Sequence, residues 1–180
     1  MAMQRPLTFL IVGMAALLAA SAADAACTDA AAPGASWRRC LLDGENLSGV
    51  DLTGSDLRDS SFKRSDLSRS NLSNVQARRA KFVSALLVGV DFSGADLVQA
   101  DFTSADLSGA KLVGASLRTA RLFQANLRNA DLTGAVLEGA DLLRTDFSGA
   151  RWTDGKTVCA EGSLDRCQPV PANGAGKVEG

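Results

Sequence analysis

Histidine and tyrosine are absent, and aromatic residues make up only 5% of the chain. Without histidine the sequence lacks the commonest general acid–base group and the commonest metal ligand. No Cys-x-x-Cys pair is present for thiol redox chemistry. Neither charge dominates: 19 Lys and Arg stand against 20 Asp and Glu, so the chain as a whole has no strong pull towards nucleic acid or an anionic membrane. A long hydrophobic run is missing too. "PLTFLIVGMAALLAA" (Pro6 to Ala20) is too short to span a bilayer comfortably. The 180 residues suggest one domain.

What the N-terminus does have is the layout of a secretory signal. Arg5 precedes the apolar run and small residues follow it, with Ala23-Asp24-Ala25 as the cleavage site. Residues 1–25 are therefore expected to be a signal peptide, and the mature chain is expected in the periplasm or secreted. Asp24 occupies the place where a lipoprotein signal needs an apolar residue, three before Cys27, which argues against lipidation. Four cysteines remain: Cys27, Cys40, Cys159 and Cys167. An even count in an exported chain suggests disulfides. Three connectivities exist. The local one, Cys27–Cys40 with Cys159–Cys167, is favoured because each pair brackets one end of the region between them. A metal site would need ligands from both ends.

That region has a period of five. Stepping from Leu42 by five residues reaches Trp152 in 23 positions, of which 16 are Leu and five are Phe (Phe62, Phe82, Phe92, Phe102 and Phe147). Ala77 is the one weak member. Two places before each centre the residue is small: Ala at 13 of the 23, and Ser at 55, 60, 65 and 70. Residues two apart point to the same side of an extended segment, so the small and the large residue face inward together. The residue between them points out and is usually charged or amide. Ser, Thr and Gly follow the centre and suit a corner. One such side cannot bury its own Leu, so the chain must wind and stack.

Glycine sets the number of sides. Grouping the corner residues by every fourth unit places Gly or Asn at ten of 12 positions on two corners, and at two of 11 on the others. The coil is therefore expected to repeat every 20 residues, with two of its four corners needing positive φ more than the other two. Charges agree. At a 20-residue step Lys81, Asp101, Arg121 and Asp141 alternate in sign, as do Asp91, Lys111, Asp131 and Arg151. Each of these charges is expected to sit between two opposite ones.

The unit A-(D/N)-L-x-x, as in "ADLVQADFTSADLSGAKL", resembles the pentapeptide-repeat family over Cys40 to Asp154. The resemblance implies an all-β fold, a right-handed quadrilateral β-helix of roughly five to six coils. The expected layout is an N-terminal cap over 26–39 with Trp37 covering the first coil, the β-helix over 40–154, a C-terminal disulfide loop over 155–168 and a disordered tail over 169–180. The disulfide-closed ends are similar to those of exported bacterial members.

Chemistry is harder to find. Aspartates before Leu or Phe could be read as paired glycosidase carboxylates, but they recur because the outward polar position recurs. The glycines form corners and open no helix, so they are not phosphate loops. No enzyme, catalytic residue, metal site or cofactor is expected. Two surface features remain. Ser55 to Lys81 holds seven basic and three acidic residues. Within it Arg58, Lys63, Arg64, Arg78, Arg79 and Lys81 form a candidate patch for an acidic partner, an anionic glycan or phospholipid head groups. Phe123 and Leu143, outward and one coil apart, form a candidate apolar contact. The same basic coil carries the inward serines and Ala77, so a local distortion is expected there.

The reading is a non-catalytic structural or protein-interaction solenoid of the bacterial envelope. Its partner would be a protein or an anionic envelope component, with no nucleic acid and no transmembrane span in the mature chain; a homodimer is compatible. The alternative is a DNA mimic that regulates a nucleic-acid enzyme, as some pentapeptide-repeat proteins bind DNA gyrase. It is disfavoured by the signal peptide and the basic patch.

Overall fold

The computed structural model describes Cys27 and residues 29–170; the expected signal peptide and residues 171–180 lie outside the described residues. Parallel backbone pairing joins residues 20 apart without a break, from Ser36↔Asp56 to Asp131↔Arg151. Five-residue units and a 20-residue repeat give four sides. Side one is centred on Trp37, Leu57, Ala77, Leu97, Leu117 and Leu137. Side two is centred on Leu42, Phe62, Phe82, Phe102, Leu122 and Leu142. Sides three and four follow from Leu47 and Leu52 in the same way.

Each side contributes one bridging residue, just before its apolar centre, and no extended strand. The reason is the short unit, in which two residues of every five are spent on a corner. Phe82 shows the ladder: its N–H donates to the Asp101 carbonyl at 2.7 Å, while the Asp101 N–H returns to the Ala80 carbonyl at 2.9 Å. The Ala85 N–H closes the corner on the Phe82 carbonyl at 3.1 Å.

The corners correct one expectation. Positive φ occurs at every fifth residue from Gly34 to Gly149, on all four corners, and 13 of these 24 positions are not glycine. Every side ends in a turn with a left-handed second central residue, and Arg, Ser, Gln and Thr accept it as Gly and Asn do. Crowding accounts for part of the glycine bias. A Cβ on Gly94 would lie 2.6 Å from Asn74 Oδ1, one coil below. At Gly49, Gly54, Gly89 and Gly109 the space is open, so crowding plays no part there.

Inside, the Leu, Phe and Ala positions form one continuous core, with Leu42, Leu47, Leu137 and Leu142 of the end coils partly buried against it. Phe62, Phe82 and Phe102 stack with centroids 5.2 and 5.0 Å apart, and Phe92 reaches both Phe82 and Phe102 edge-on from the opposite side. The serine-lined coil is not distorted, because pairing runs through it from Asp56 to Leu86. Its buried hydroxyls are satisfied by carbonyls: Ser65 donates to Leu42 at 2.6 Å and Ser70 to Leu47 at 2.7 Å. A buried hydroxyl costs free energy only when it lacks such a partner.

The ends also differ from expectation. The winding begins before Cys40: Ser36 pairs with Asp56, and Trp37 sits in the buried centre of side one, 6.5 Å from the Phe62 ring. The five-residue register simply extends one unit further back, so Trp37 is part of the first coil and not a lid over it. Cys27 is bonded to Cys40, and the Trp37 indole N–H donates to the Asp29 carbonyl at 3.0 Å. At the other end Cys159 is bonded to Cys167. The chain there folds back antiparallel on the last coil, pairing Val158 with Arg151 and Leu164 with Asp146. Pro169 pairs with Cys159, and the Val170 N–H reaches the Val158 carbonyl, so these two residues of the expected disordered tail are ordered by the sheet edge they complete. No helix among the described residues is long and apolar enough to cross a membrane.

Candidate anion-binding face

The outward aspartates have a backbone role. All 13 Asp and Asn residues at the bridging position accept a hydrogen bond on Oδ1 from the backbone N–H two residues on. This Asx turn caps the start of each corner. It explains why the unit reads Asp or Asn before Leu. It also shifts acidity: Asp66 is held below the usual carboxylate range chiefly by the Ser68 hydroxyl and N–H, and Asp131 chiefly by the Thr133 hydroxyl.

With Oδ1 committed, Oδ2 is left for a cation. Arg121 lies 3.2 Å from Asp101, Lys111 3.7 Å from Asp91 and Arg151 3.8 Å from Asp131. Each cation closes on the carboxylate one coil towards the N-terminus. The expected ladders are in register, but Lys111, Arg121 and Arg151 each pair with a single carboxylate, and Lys81 pairs with none among the described residues.

Winding sorts the remaining charge. Between residues 35 and 154, sides one and two carry 11 basic and seven acidic residues, while sides three and four carry four basic and eight acidic. The rod therefore has a basic half and an acidic half, although the net charge of the chain is −1. All six residues of the sequence-derived patch fall on the basic half. Arg58, Arg78 and Arg79 lie at the corner between sides one and two, Lys81 bridges on side two, and Lys63 with Arg64 form its far corner.

Three of the six are partnered. Arg58 binds Asp56 at 2.5 Å, Arg78 binds Asp96 at 2.6 Å and Arg79 binds Asp59 at 2.7 Å. The Arg58 guanidinium holds the Asp56 carboxyl below its ordinary range, and Arg79 does the same to Asp59. Lys63, Arg64 and Lys81 make no ion pair among the described residues. Sequence reasoning missed Arg38 and Arg39. Both lie in the segment expected to be a cap, but Arg38 stacks under Arg58, and the Arg39 N–H donates to the Arg58 carbonyl at 2.9 Å. One more step of −20 from Arg58 would have found them.

The apolar candidates are less distinct. Leu143 is 54% exposed and sits one coil above Phe123, which is half-buried. Leu41, Leu86 and Val88 are further exposed apolar residues that the sequence reading did not single out.

A continuous parallel ladder wound at 20 residues per coil defines a β-helical solenoid. The model for pentapeptide repeats matches residues 46–83, 85–122 and 120–151, and the chain belongs to that family, whose fold is a right-handed quadrilateral β-helix. Similar solved structures include a pentapeptide repeat protein from the Arabidopsis thaliana thylakoid lumen, 32% identical, covering 62% of this chain and 70% of its own, with a TM-score of 0.37. A pentapeptide repeat protein from the cyanobacterium Cyanothece is 32% identical over 65% of this chain and 90% of its own, TM-score 0.36. One from Nostoc is 42% identical over 53% of this chain and 67% of its own, TM-score 0.26. No curated protein matches the sequence.

Proposed function

We propose that this chain is an exported, non-catalytic binding solenoid of the bacterial envelope, whose basic half holds an acidic partner. The observation that carries the reading is the sorting of charge by the winding. Residues scattered from Arg38 to Arg121 in sequence collect on two adjacent sides of a rigid rod. A surface of this kind attracts and orients an anionic partner. Export rests on the N-terminal signal pattern and on the two cysteine pairs, which suit an oxidising compartment. Non-catalysis rests on the missing histidine and on the thirteen bridging Asp and Asn side chains already engaged as turn caps. Family membership does not choose the partner.

The test has two arms. Cell fractionation of the full chain is expected to place a shortened, disulfide-bonded form outside the cytoplasm. Crosslinking from that fraction with the mature chain is expected to capture an acidic partner, and a variant with Arg58, Arg78 and Arg79 changed to Ser is expected to lose it. A reduced, full-length cytoplasmic chain, or equal capture by both proteins, overturns the reading.

A further inference from the structure

We propose that a groove on the basic half binds a uronic-acid oligosaccharide. This rests on the reading above and names the ligand class. The groove is open, about 390 Å³ in volume, and is lined by Arg79, Lys81, Gln99, Asp101, Thr119 and Arg121. It follows the corner between sides one and two across three successive coils. Each coil supplies one residue at the corner and one at the bridging position.

Three features select the ligand. First, the cations are spaced. Lys81 and Arg121 are both paired to Asp101 through the ladder, one coil below it and one above. Two sheet spacings put them roughly 10 Å apart along the rod. That suits a chain lying along the axis whose first and third units turn acid groups towards Lys81 and Arg121, better than one compact anion. Second, a carboxylate stands between the cations. Asp101 Oδ1 accepts from the Thr103 N–H and hydroxyl and Oδ2 accepts from Arg121, which leaves Oδ2 a further acceptor site. A polyphosphate or polysulfate offers nothing to donate to it and would be repelled. A sugar acid brings hydroxyl donors beside each carboxylate. Third, Gln99 makes no side-chain hydrogen bond among the described residues, and Thr119 donates its hydroxyl to the Arg118 carbonyl, so its lone pairs are open to a donor. Acid groups on Lys81, Arg79 and Arg121, with hydroxyls on Asp101, Gln99 and Thr119, satisfy the whole lining.

The probes are trigalacturonate and inorganic tripolyphosphate, titrated by calorimetry into the mature, disulfide-bonded chain. Trigalacturonate is expected to bind and its methyl ester is not. Lys81→Gln is expected to weaken binding at least tenfold. Asp101→Asn separates the proposal from a plain cationic patch, because asparagine keeps the Asx turn and removes the charge and the outward acceptor. It is expected to weaken trigalacturonate and to strengthen tripolyphosphate. If Asp101→Asn strengthens both, or if only tripolyphosphate binds the parent, the groove is an unspecific cationic surface and the inference fails while the wider reading stands. If neither anion binds the parent, the basic half is a solvated surface and both fail.

Discussion

Asn74 Oδ1 lies 2.6 Å from the point where a Cβ on Gly94 would project, one coil above it on the same corner. Both residues have positive φ, 57° and 67°. The pair shows how one coil constrains the next at a corner where the backbone conformation is the same for both.

Gly94→Ala and Gly109→Ala therefore separate conformation from crowding. Both place a Cβ at positive φ, which costs about 1–2 kcal/mol. Only at Gly94 must a neighbour also move, since Gly109 has nothing within 4 Å of the added atom. Gly94→Ala is expected to be the worse of the two in denaturant melts. Adding Asn74→Gly is expected to bring it back to the Gly109→Ala level; a pair of changes that simply adds would show that the two corners do not interact.

Leu107→Asp and Asp106→Leu test which way the unit faces. Leu107 is 1% exposed, and a carboxylate there is expected to cost more than about 4 kcal/mol or to prevent folding. Asp106→Leu buries nothing but removes a turn cap to Ser108 and an acceptor for Asn126, for an expected loss of about 1 kcal/mol. Equal losses would mean the inward face is assigned wrongly.

Acid stability follows from the caps. Asp51, Asp66 and Asp131 lie below the ordinary carboxylate value because the Thr53, Ser68 and Thr133 hydroxyls donate to them. Asp154 is lowered to about 2 by the Thr157 hydroxyl and by the N–H groups of Thr157 and Lys156. A carboxyl whose folded pKa is depressed stabilises the fold above its unfolded pKa, near 3.9, and loses that contribution as pH falls through the folded value. With no histidine, melting temperature is expected to stay level from pH 8 to 5 and to fall between about 4 and 2. A transition centred between pH 5 and 7 would contradict this.

Much of the architecture was legible because one period runs through 23 units. The five-residue step predicted the buried Leu and Phe, and the 20-residue step predicted the stacking of Phe62, Phe82 and Phe102. Three things were not legible. Trp37 looked like a lid because no Leu or Phe marks its unit, so the first coil and its Arg38 and Arg39 were lost with it. Positive φ at Arg79 or Ser84 leaves no trace in residue type, since a polar side chain in the left-handed region looks like any turn residue. The Asx caps were read as mere outward polarity, because a pattern shows that Asp recurs and not what its Oδ1 accepts. Six patch residues were found from charge alone, but the pairing of Arg78 with Asp96 and of Arg79 with Asp59 needed the winding.

Removing the Cys159–Cys167 bond is expected to loosen one end only. The segment it closes pairs Leu164 with Asp146 and supplies the Ser163 carbonyl to the buried Phe147 N–H at 2.9 Å. A double Cys→Ala variant is expected to lose about 2–3 kcal/mol, with hydrogen exchange rising around Phe147 and Trp152. Protection at Phe82 and Phe102 should be unchanged; a loss there would mean the coils unfold as one unit from the C-terminus.

Anion binding is expected to depend on position on the rod and not on net charge. Two charge-matched triple variants test it on immobilised poly-glutamate at two salt concentrations, with circular dichroism as the folding control. One changes Arg58, Arg78 and Arg79 to Ser on the basic half; the other changes Arg69, Lys111 and Arg128 to Ser on the acidic half. The parent is expected to bind in a salt-sensitive way, the first variant to lose binding and the second to retain it. Equal loss in both, or undiminished binding by the first, would contradict this.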